Sequence, residues 1–296
     1  MKQDKVLQIG LFGFGVVGEG IYKVLQQTPS LSASIKKVCI KHADKKRDAD
    51  ASLFTTSYEE ILNDPQIDLV VELIDDAKEA YKIVSTALRN KKSVVSANKK
   101  MIAEHLPELL QLQNENGVSF LYEAAVCGSI PIIRNLEEYY DNDLLQSICG
   151  IVNGSTNYIL TKIISEGLSY QEALQNAQQL GFAESDPSLD VEGLDATNKL
   201  TILLAHAYGI ISKPEDLLHL GITRLHTTDT KYAEEKGYQV KLTAHAYKLS
   251  NGKVAAFVLP QFVKPESQLY NVRNEYNGVI IESKLADKQF LYGKGA

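Results

Sequence analysis

The run Ile9-Gly-Leu-Phe-Gly13-Phe-Gly15-Val-Val-Gly18 constrains this chain more than any other stretch of it. Its GxGxxG spacing comes directly after an apolar segment and directly before one of helical periodicity. In that setting Gly13 permits a tight turn, Gly15 lets backbone approach a pyrophosphate, and Gly18 lets the helix pack close, with the phosphates at the helix N-terminus. The whole turn, Gly13, Phe14, Gly15, Val16, Val17 and Gly18, is the expected dinucleotide cradle; a purely structural glycine turn is the competing reading.

The surrounding pattern supports the first reading. Short apolar runs at 6–12, 37–40, 67–74, 93–97 and 118–122 alternate with helical segments at 16–27, 77–90 and 102–115. That rhythm is expected of a parallel sheet with crossover helices, and near-continuous apolar runs such as DLVVELI suit strands covered on both faces. Residues 1–125 are therefore expected to form a doubly wound α/β domain. Residues 126–296 read as a second, α+β domain: helix 130–140, strand 145–153, helices 156–166, 170–180 and 193–208, then strands from residue 239 onward. Ser169 and Glu172 make a capping box closed at Gly181, and Asn251-Gly252 marks a hairpin turn. A second Asn-Gly pair, Asn277-Gly278, is expected to mark another.

Composition narrows the function. With 31 basic and 37 acidic residues the net charge is -6, so nucleic acid and anionic membrane are not expected partners. No apolar run approaches the ~20 residues that span a bilayer. The N-terminus shows no export signal, which points to a cytoplasmic protein. Cys39, Cys127 and Cys149 are widely spaced among apolar residues and read as reduced core thiols, with no zinc spacing.

Candidate site residues follow from position and chemistry. The second strand ends in Cys39-Ile40-Lys41-His42 with no carboxylate before Asp44. A cation there tilts the cofactor choice from NAD toward NADP, whose extra phosphate it complements, although a solvated strand-end lysine would look the same. Lys99 follows a strand whose carboxyl end faces the ligand crevice. Gly154 and Ser155 open a helix, where amides can hold an anion or Ser155 can act simply as N-cap. Asp195 and Lys199 stand four apart on one helical face, acid first, in an apolar context. Just before them, Glu184, Asp186, Asp190 and Glu192 crowd one loop, readable as solvated, as a divalent metal site, or as an anchor for an ammonium group.

Taken together, Val94-Val-Ser-Ala-Asn98-Lys99-Lys100, Tyr122-Glu-Ala-Ala-Val-Cys-Gly-Ser-Ile-Pro131, Gly150-Ile-Val-Asn-Gly-Ser-Thr-Asn-Tyr-Ile159 and Gly181-Phe-Ala-Glu-Ser-Asp-Pro187 through Lys199 resemble homoserine dehydrogenase, in family order along the whole chain. The resemblance implies a Rossmann NAD(P)-binding domain, a dimerisation and catalytic domain, a homodimer, and reversible reduction of L-aspartate 4-semialdehyde to L-homoserine in threonine and methionine biosynthesis. It makes Lys199 the proton donor with Asp195 orienting it, Glu184 and Asp190 the anchors of the substrate amine, Gly154 and Ser155 substrate-binding, and Lys99 a cofactor and active-site lysine. It also implies a monovalent cation, usually sodium, held by main-chain carbonyls at Glu123, Val126, Gly128 and Ile130.

Some letters depart from the family pattern. Asp75-Asp76 stand where Gly-Gly is usual, and acids beside a pyrophosphate would weaken its binding. Phe182 replaces a common Tyr and Ser155 a common Thr. Family members typically continue past Ala296 with Gly-rich sequence and a helix, and longer relatives carry an ACT domain; feedback through such a domain is not expected here. Two rivals therefore stand beside the leading reading: a dehydrogenase of another amino-acid aldehyde, and a cofactor-binding sensor or inactive fragment.

Overall fold

Ile9, Leu11 and Phe12 are at most 5% exposed because the strand carrying them, β1 (Leu7–Phe12), has a parallel neighbour on each side. The computed structural model describes residues 6–295. Beyond the glycine turn come α1 (Val16–Gln27), β2 (Ala33–Cys39), β3 (Phe54–Thr55), α2 (Glu59–Leu62), β4 (Leu69–Glu72), α3 (Ala77–Arg89), β5 (Ser93–Ser96), α4 (Lys99–Asn116) and β6 (Phe120–Leu121). The sheet order is β3-β2-β1-β4-β5-β6, all parallel. This is the Rossmann order, which reverses between β1 and β4 and so opens a ligand crevice at their carboxyl ends. β2 begins four residues before the expected 37, because the polar letters of ASIKKVC hide its first half: Lys36 reaches out to pair with Asp64 at 2.6 Å. The two-residue β3 and the single-turn α2 are too short for periodicity to reveal.

The first compact unit ends at Tyr122 and the second begins at Glu123, so the short 3-10 turn Glu123–Ala125 belongs to the second. That unit contains α5 (Ile132–Tyr139), β7 (Leu145–Ile151), α6 (Gly154–Glu166), α7 (Tyr170–Gln179), α8 (Ser188–Val191), α9 (Leu194–Tyr208), β8 (Leu218–His219), α10 (Thr227–Lys236), β9 (Gln239–Lys248), β10 (Val254–Val263), β11 (Tyr276–Ser283) and β12 (Asp287–Lys294). Its sheet runs β12-β11-β7-β9-β10-β8, antiparallel except for the β10–β8 pair. Val240, Leu242, Ala244 and Ala246 alternate along β9 and are buried, while α6 and α9 pack on that strand. The alternate positions His245 and Tyr247 are only half-buried, as are Cys149 and Phe257 on either side of His245 and Ile280 opposite Cys149.

The capping box at Ser169 and Glu172 forms, and Gly181 takes a left-handed φ of 77° just past α7. The Asn251-Gly252 turn joins β9 to β10 as expected. Asn277-Gly278 does not make a hairpin; it lies inside β11, with Gly278 paired to Ile151 on one side and Tyr292 on the other. A Cβ at Gly278 would come within 2.7 Å of Val272 and 3.0 Å of Phe290, so the glycine serves side-chain packing across the sheet. The actual turn between β11 and β12 spans 284–286, and Asp287 takes the left-handed conformation there.

Candidate active site

In the first unit the three glycines do three different things. Gly13 has φ 95°, and a Cβ there would lie 2.8 Å from Leu73 O; at Gly18 a Cβ would meet Gly13 O at 2.4 Å. Both are required by the turn itself. At Gly15 a Cβ would meet nothing within 4 Å, so the protein's own packing gives no reason for glycine there. Gly15 is the N-cap of α1 and supplies no side-chain cap, while Val16 and Val17 are 92% and 57% exposed. An uncapped helix start with open space above its first amides fits a pyrophosphate, which would take up those N–H groups.

The neighbouring strand exits frame this position. Asp76 is spoken for locally: its Oδ1 accepts from Lys78 N and Glu79 N at 2.9 and 3.1 Å as N-cap of α3. Those backbone bonds, that of Glu79 first, hold its carboxyl below the usual carboxylate range. Asp75 is exposed. Lys41 is exposed past the end of β2, beside a cavity of about 520 Å³ lined by Ile40, Lys45, Lys46, Arg47 and Phe54. Arg47 curls that loop, donating to Lys45 O and His42 O at 2.6 and 2.8 Å and lying over the Phe54 ring, which meets Phe14 edge-on. Lys99 is half-buried as the first residue of α4, and its neighbour Lys100 is exposed. Asn98, which sequence reasoning passed over, is the N-cap: its Oδ1 accepts from Met101 N at 2.9 Å and its amide donates to Ile74 O at 3.0 Å.

In the second unit Asp195 and Lys199 are 4% and 9% exposed. Lys199 Nζ lies 2.8 Å from Asp195 Oδ2 and donates to Val152 O at 2.7 Å. A lysine ammonium has three N–H groups; two are fixed here, and the third is left to be aimed. The acidic neighbour is Asp190, bridged to the pair by Asn153, whose amide donates to Asp190 Oδ1 at 2.6 Å and Asp195 Oδ2 at 2.9 Å. Burial pushes the Asp190 carboxyl up and the charge of Asp195 adds to the push, against the pull of Asn153, Ser155 and Lys199. An acid held so is primed to gain from an arriving cation.

Asn153 was missed in the sequence. It, and not Ser155, is the N-cap of α6, accepting from Thr156 N at 2.8 Å. The signal was present in an Asn directly before Gly-Ser-Thr and an apolar helix, but Ser155 competed for the same reading. Ser155 instead donates to Phe182 O at 2.5 Å, which ties the start of α6 to the loop carrying Glu184. Gly154 packs against the chain at Glu275, whose O would be 2.6 Å from a Cβ. Glu184 is exposed and is not brought into contact with Lys199. Asp186 caps Ser188 N at 3.1 Å and Glu192 accepts from Thr223 at 3.0 Å, local tasks both. Among the described residues no three or more of His, Cys, Asp and Glu cluster as a metal site.

The segment holding Glu123, Val126, Gly128 and Ile130 is tightly turned, with left-handed Cys127 and Gly128 at φ 42° and 57°. Glu123 O accepts from Val126 N and Ile130 O from Ile132 N, leaving each a second lone pair. The donors are neutral main-chain oxygens, the chemistry a hard monovalent cation takes. The Glu123 carboxylate itself is used elsewhere, accepting from Ile133 N and Arg134 N at 2.8 and 2.9 Å at the start of α5.

Behind α6 lies a second buried cation. Lys241 on β9 is 0% exposed and donates to Asn157 Oδ1 at 2.9 Å and Val272 O at 2.5 Å. The Asn157 amide in turn holds Asn274 O and Tyr276 O at 2.9 and 3.1 Å. No carboxylate is among these partners. Burial pushes the Lys241 ammonium down to about 7, helped by Arg273.

Known proteins align with this arrangement over nearly its whole length. A family model described as homoserine dehydrogenase matches residues 131–296, and one described as homoserine dehydrogenase, NAD binding domain, matches 13–123. The homoserine dehydrogenase of Bacillus subtilis is 38% identical over 301 residues, 99% of this chain and 69% of that protein; the one from Synechocystis is 39% identical, covering 98% and 69%. Among solved structures, a homoserine dehydrogenase from Thiobacillus denitrificans superposes with TM-score 0.93 at 35% identity, covering 98% of this chain and 69% of that one. A hyperthermophilic archaeal homoserine dehydrogenase in complex with NADPH gives 0.81 at 26% identity, covering 98% and 92%.

Proposed function

The chain belongs to the homoserine dehydrogenase family of NAD(P)-dependent oxidoreductases, and from that premise we propose how its own residues carry the reversible reduction of L-aspartate 4-semialdehyde to L-homoserine. The observation that carries the reading is the buried Lys199, pinned by Asp195 and Val152 O with one N–H left to offer. Bound at the glycine turn, the nicotinamide dinucleotide supplies the hydride. Lys199 donates its proton to the aldehyde oxygen as negative charge develops there, and recovers it from solvent. Asp195 orients the ammonium through their 2.8 Å contact. Asp190 and Glu184 take the substrate ammonium, and the amides of Gly154 and Ser155 at the start of α6 take its carboxylate.

Lys99 serves the cofactor and the reaction from the start of α4. NADP is the preferred cofactor, with Lys41 meeting the 2'-phosphate. A sodium ion bound by the carbonyls of Glu123, Val126, Gly128 and Ile130 has a structural role. The enzyme is a cytoplasmic homodimer, supported by the family resemblance and by the half-buried sheet face at His245, Tyr247 and Phe257. Residues 1–125 serve as the NAD(P)-binding domain and 126–296 as the dimerisation and catalytic domain.

The test is NADPH oxidation at 340 nm with L-aspartate 4-semialdehyde, on wild type and Lys199→Ala, with NADH for comparison. Turnover lost on substitution while nucleotide binding survives supports the assignment of Lys199. Turnover surviving within threefold of wild type refutes it. Lys41→Ala should narrow the NADPH preference without touching rates with NADH.

A further inference from the structure

Glu72 ends β4 at 0% exposure, next to the buried Val70 and Val71. An apolar residue of similar size would be easier to bury, since a carboxylate must be stripped of water and then fully hydrogen-bonded. Glu72 is so bonded: Oε1 accepts from Ile74 N at 2.7 Å and Oε2 from Ser96 Oγ at 2.5 Å. Ser96 Oγ also accepts from Asn98 N at 3.2 Å. Asn98 closes the circuit, its amide donating to Ile74 O at 3.0 Å and Asp75 O at 3.4 Å while its Oδ1 caps α4 at Met101 N. A main-chain bond from Ala97 N to Glu72 O lies alongside.

This ring does not run through the body of the sheet. It joins two strand exits, those of β4 and β5, on the edge where an open parallel sheet holds its ligand. Every segment it fastens, 74–76 and 97–99, is loop or helix start, and Lys99 is the next residue after Asn98. Fixing such a wall before the ligand arrives removes an ordering cost from binding.

We propose that Glu72 is a positioning residue of the nucleotide crevice, locking segments 74–76 and 97–99 together through Ser96 and Asn98 so that a nicotinamide dinucleotide meets a preformed wall. The proposal rests on the first unit being the nucleotide-binding one, so wild-type affinity for NADPH is measured first, by isothermal titration. No binding by folded wild type would overturn that reading, and this proposal with it.

Given binding, the discriminating variants are Glu72→Leu, Glu72→Gln and Ser96→Ala. The leucine removes the ring. The glutamine keeps the connection with one bond reversed, its carbonyl accepting from Ile74 N and its NH2 donating to Ser96 Oγ, whose second lone pair still serves Asn98 N while its hydroxyl hydrogen loses the Glu72 acceptor. Glu72→Leu should weaken NADPH binding about tenfold and raise the KM for NADPH in step, with the KM for L-aspartate 4-semialdehyde unchanged. Glu72→Gln should recover most of that loss, and Ser96→Ala should show a smaller loss in the same direction. Thermal melts separate folding from positioning; should Glu72→Leu fail to fold, Ser96→Ala carries the test alone. Folded Glu72→Leu or Ser96→Ala binding NADPH as wild type does would overturn the proposal, as would equal losses in Glu72→Leu and Glu72→Gln.

Discussion

Replacing Lys241 with methionine should change how stability depends on pH, in a window that follows from its burial. Free lysine titrates near 10.5, whereas burial among neutral acceptors pushes Lys241 down to about 7. Between those values the unfolded chain holds a proton that the folded chain has released, so stability from this group rises with pH across the window and is flat below it. The limiting slope is about 1.4 kcal/mol per pH unit. Allowing for partial titration near the folded value, wild type should gain on the order of 2 kcal/mol from pH 7 to pH 9 that Lys241→Met does not. Methionine also leaves Asn157 Oδ1 and Val272 O without their donor, a loss of about 1–3 kcal/mol per unsatisfied group that is independent of pH. Urea unfolding followed by circular dichroism, on the transition of the second unit and at constant ionic strength, gives the difference between the two proteins at each pH. A difference constant within about 0.5 kcal/mol from pH 7 to 9 would refute the reasoning. Growth of the gap below pH 6 would do the same.

Three further outcomes follow from the site. Gly15→Ala should fold normally and lose nucleotide affinity, whereas Gly18→Ala, whose Cβ would press on Gly13 O, should lower the melting temperature; a melting loss for Gly15→Ala as large as that of Gly18→Ala would remove the ligand-based reason for that glycine. Asn153→Ala removes both the α6 cap, worth about 1 kcal/mol, and the bridge between Asp190 and Asp195. Its kcat/KM should fall by about tenfold or more, and steady-state kinetics showing no change would mean the bridge is idle. Asp75→Gly should tighten NADPH binding about two- to fivefold at low salt and hardly at all at 0.5 M salt, because an exposed charge is screened; a titration showing weaker binding would contradict the repulsion argument.

What the sequence made legible was whatever repeats or stands alone as a letter. The alternation of apolar runs and helical segments gave the parallel sheet, and GxGxxG after the first run located its switch point. Asp195 and Lys199 were visible because a four-residue spacing sets both charges on one face of a helix whose remaining positions are apolar. Asn153 and Asn98 were not, since an asparagine before a helix announces a cap but not that its amide will reach across to two carboxylates or a neighbouring strand. Lys241 and Glu72 were hidden by the opposite effect: a charged letter within a strand reads as a solvent-facing position, and only the three-dimensional circuit shows that each is enclosed. Asn277-Gly278 misled because the pair favours a turn locally, while packing of Val272 and Phe290 over Gly278 decided the matter from outside the pair.

The position of β7 has a consequence for how the enzyme comes into being. Its two sheet neighbours, β9 and β11, arrive roughly a hundred residues or more after it, separations that slow folding because loop-closure entropy is lost before contacts compensate. Val152 and Asn153, which bond Lys199 and its acidic neighbours Asp195 and Asp190, directly follow that strand. During vectorial synthesis the nucleotide-binding half can therefore fold early, while the proposed site around Lys199 stays unassembled until the chain has emerged through Ser283. Any shorter nascent chain would hold the cofactor turn with nothing able to use it.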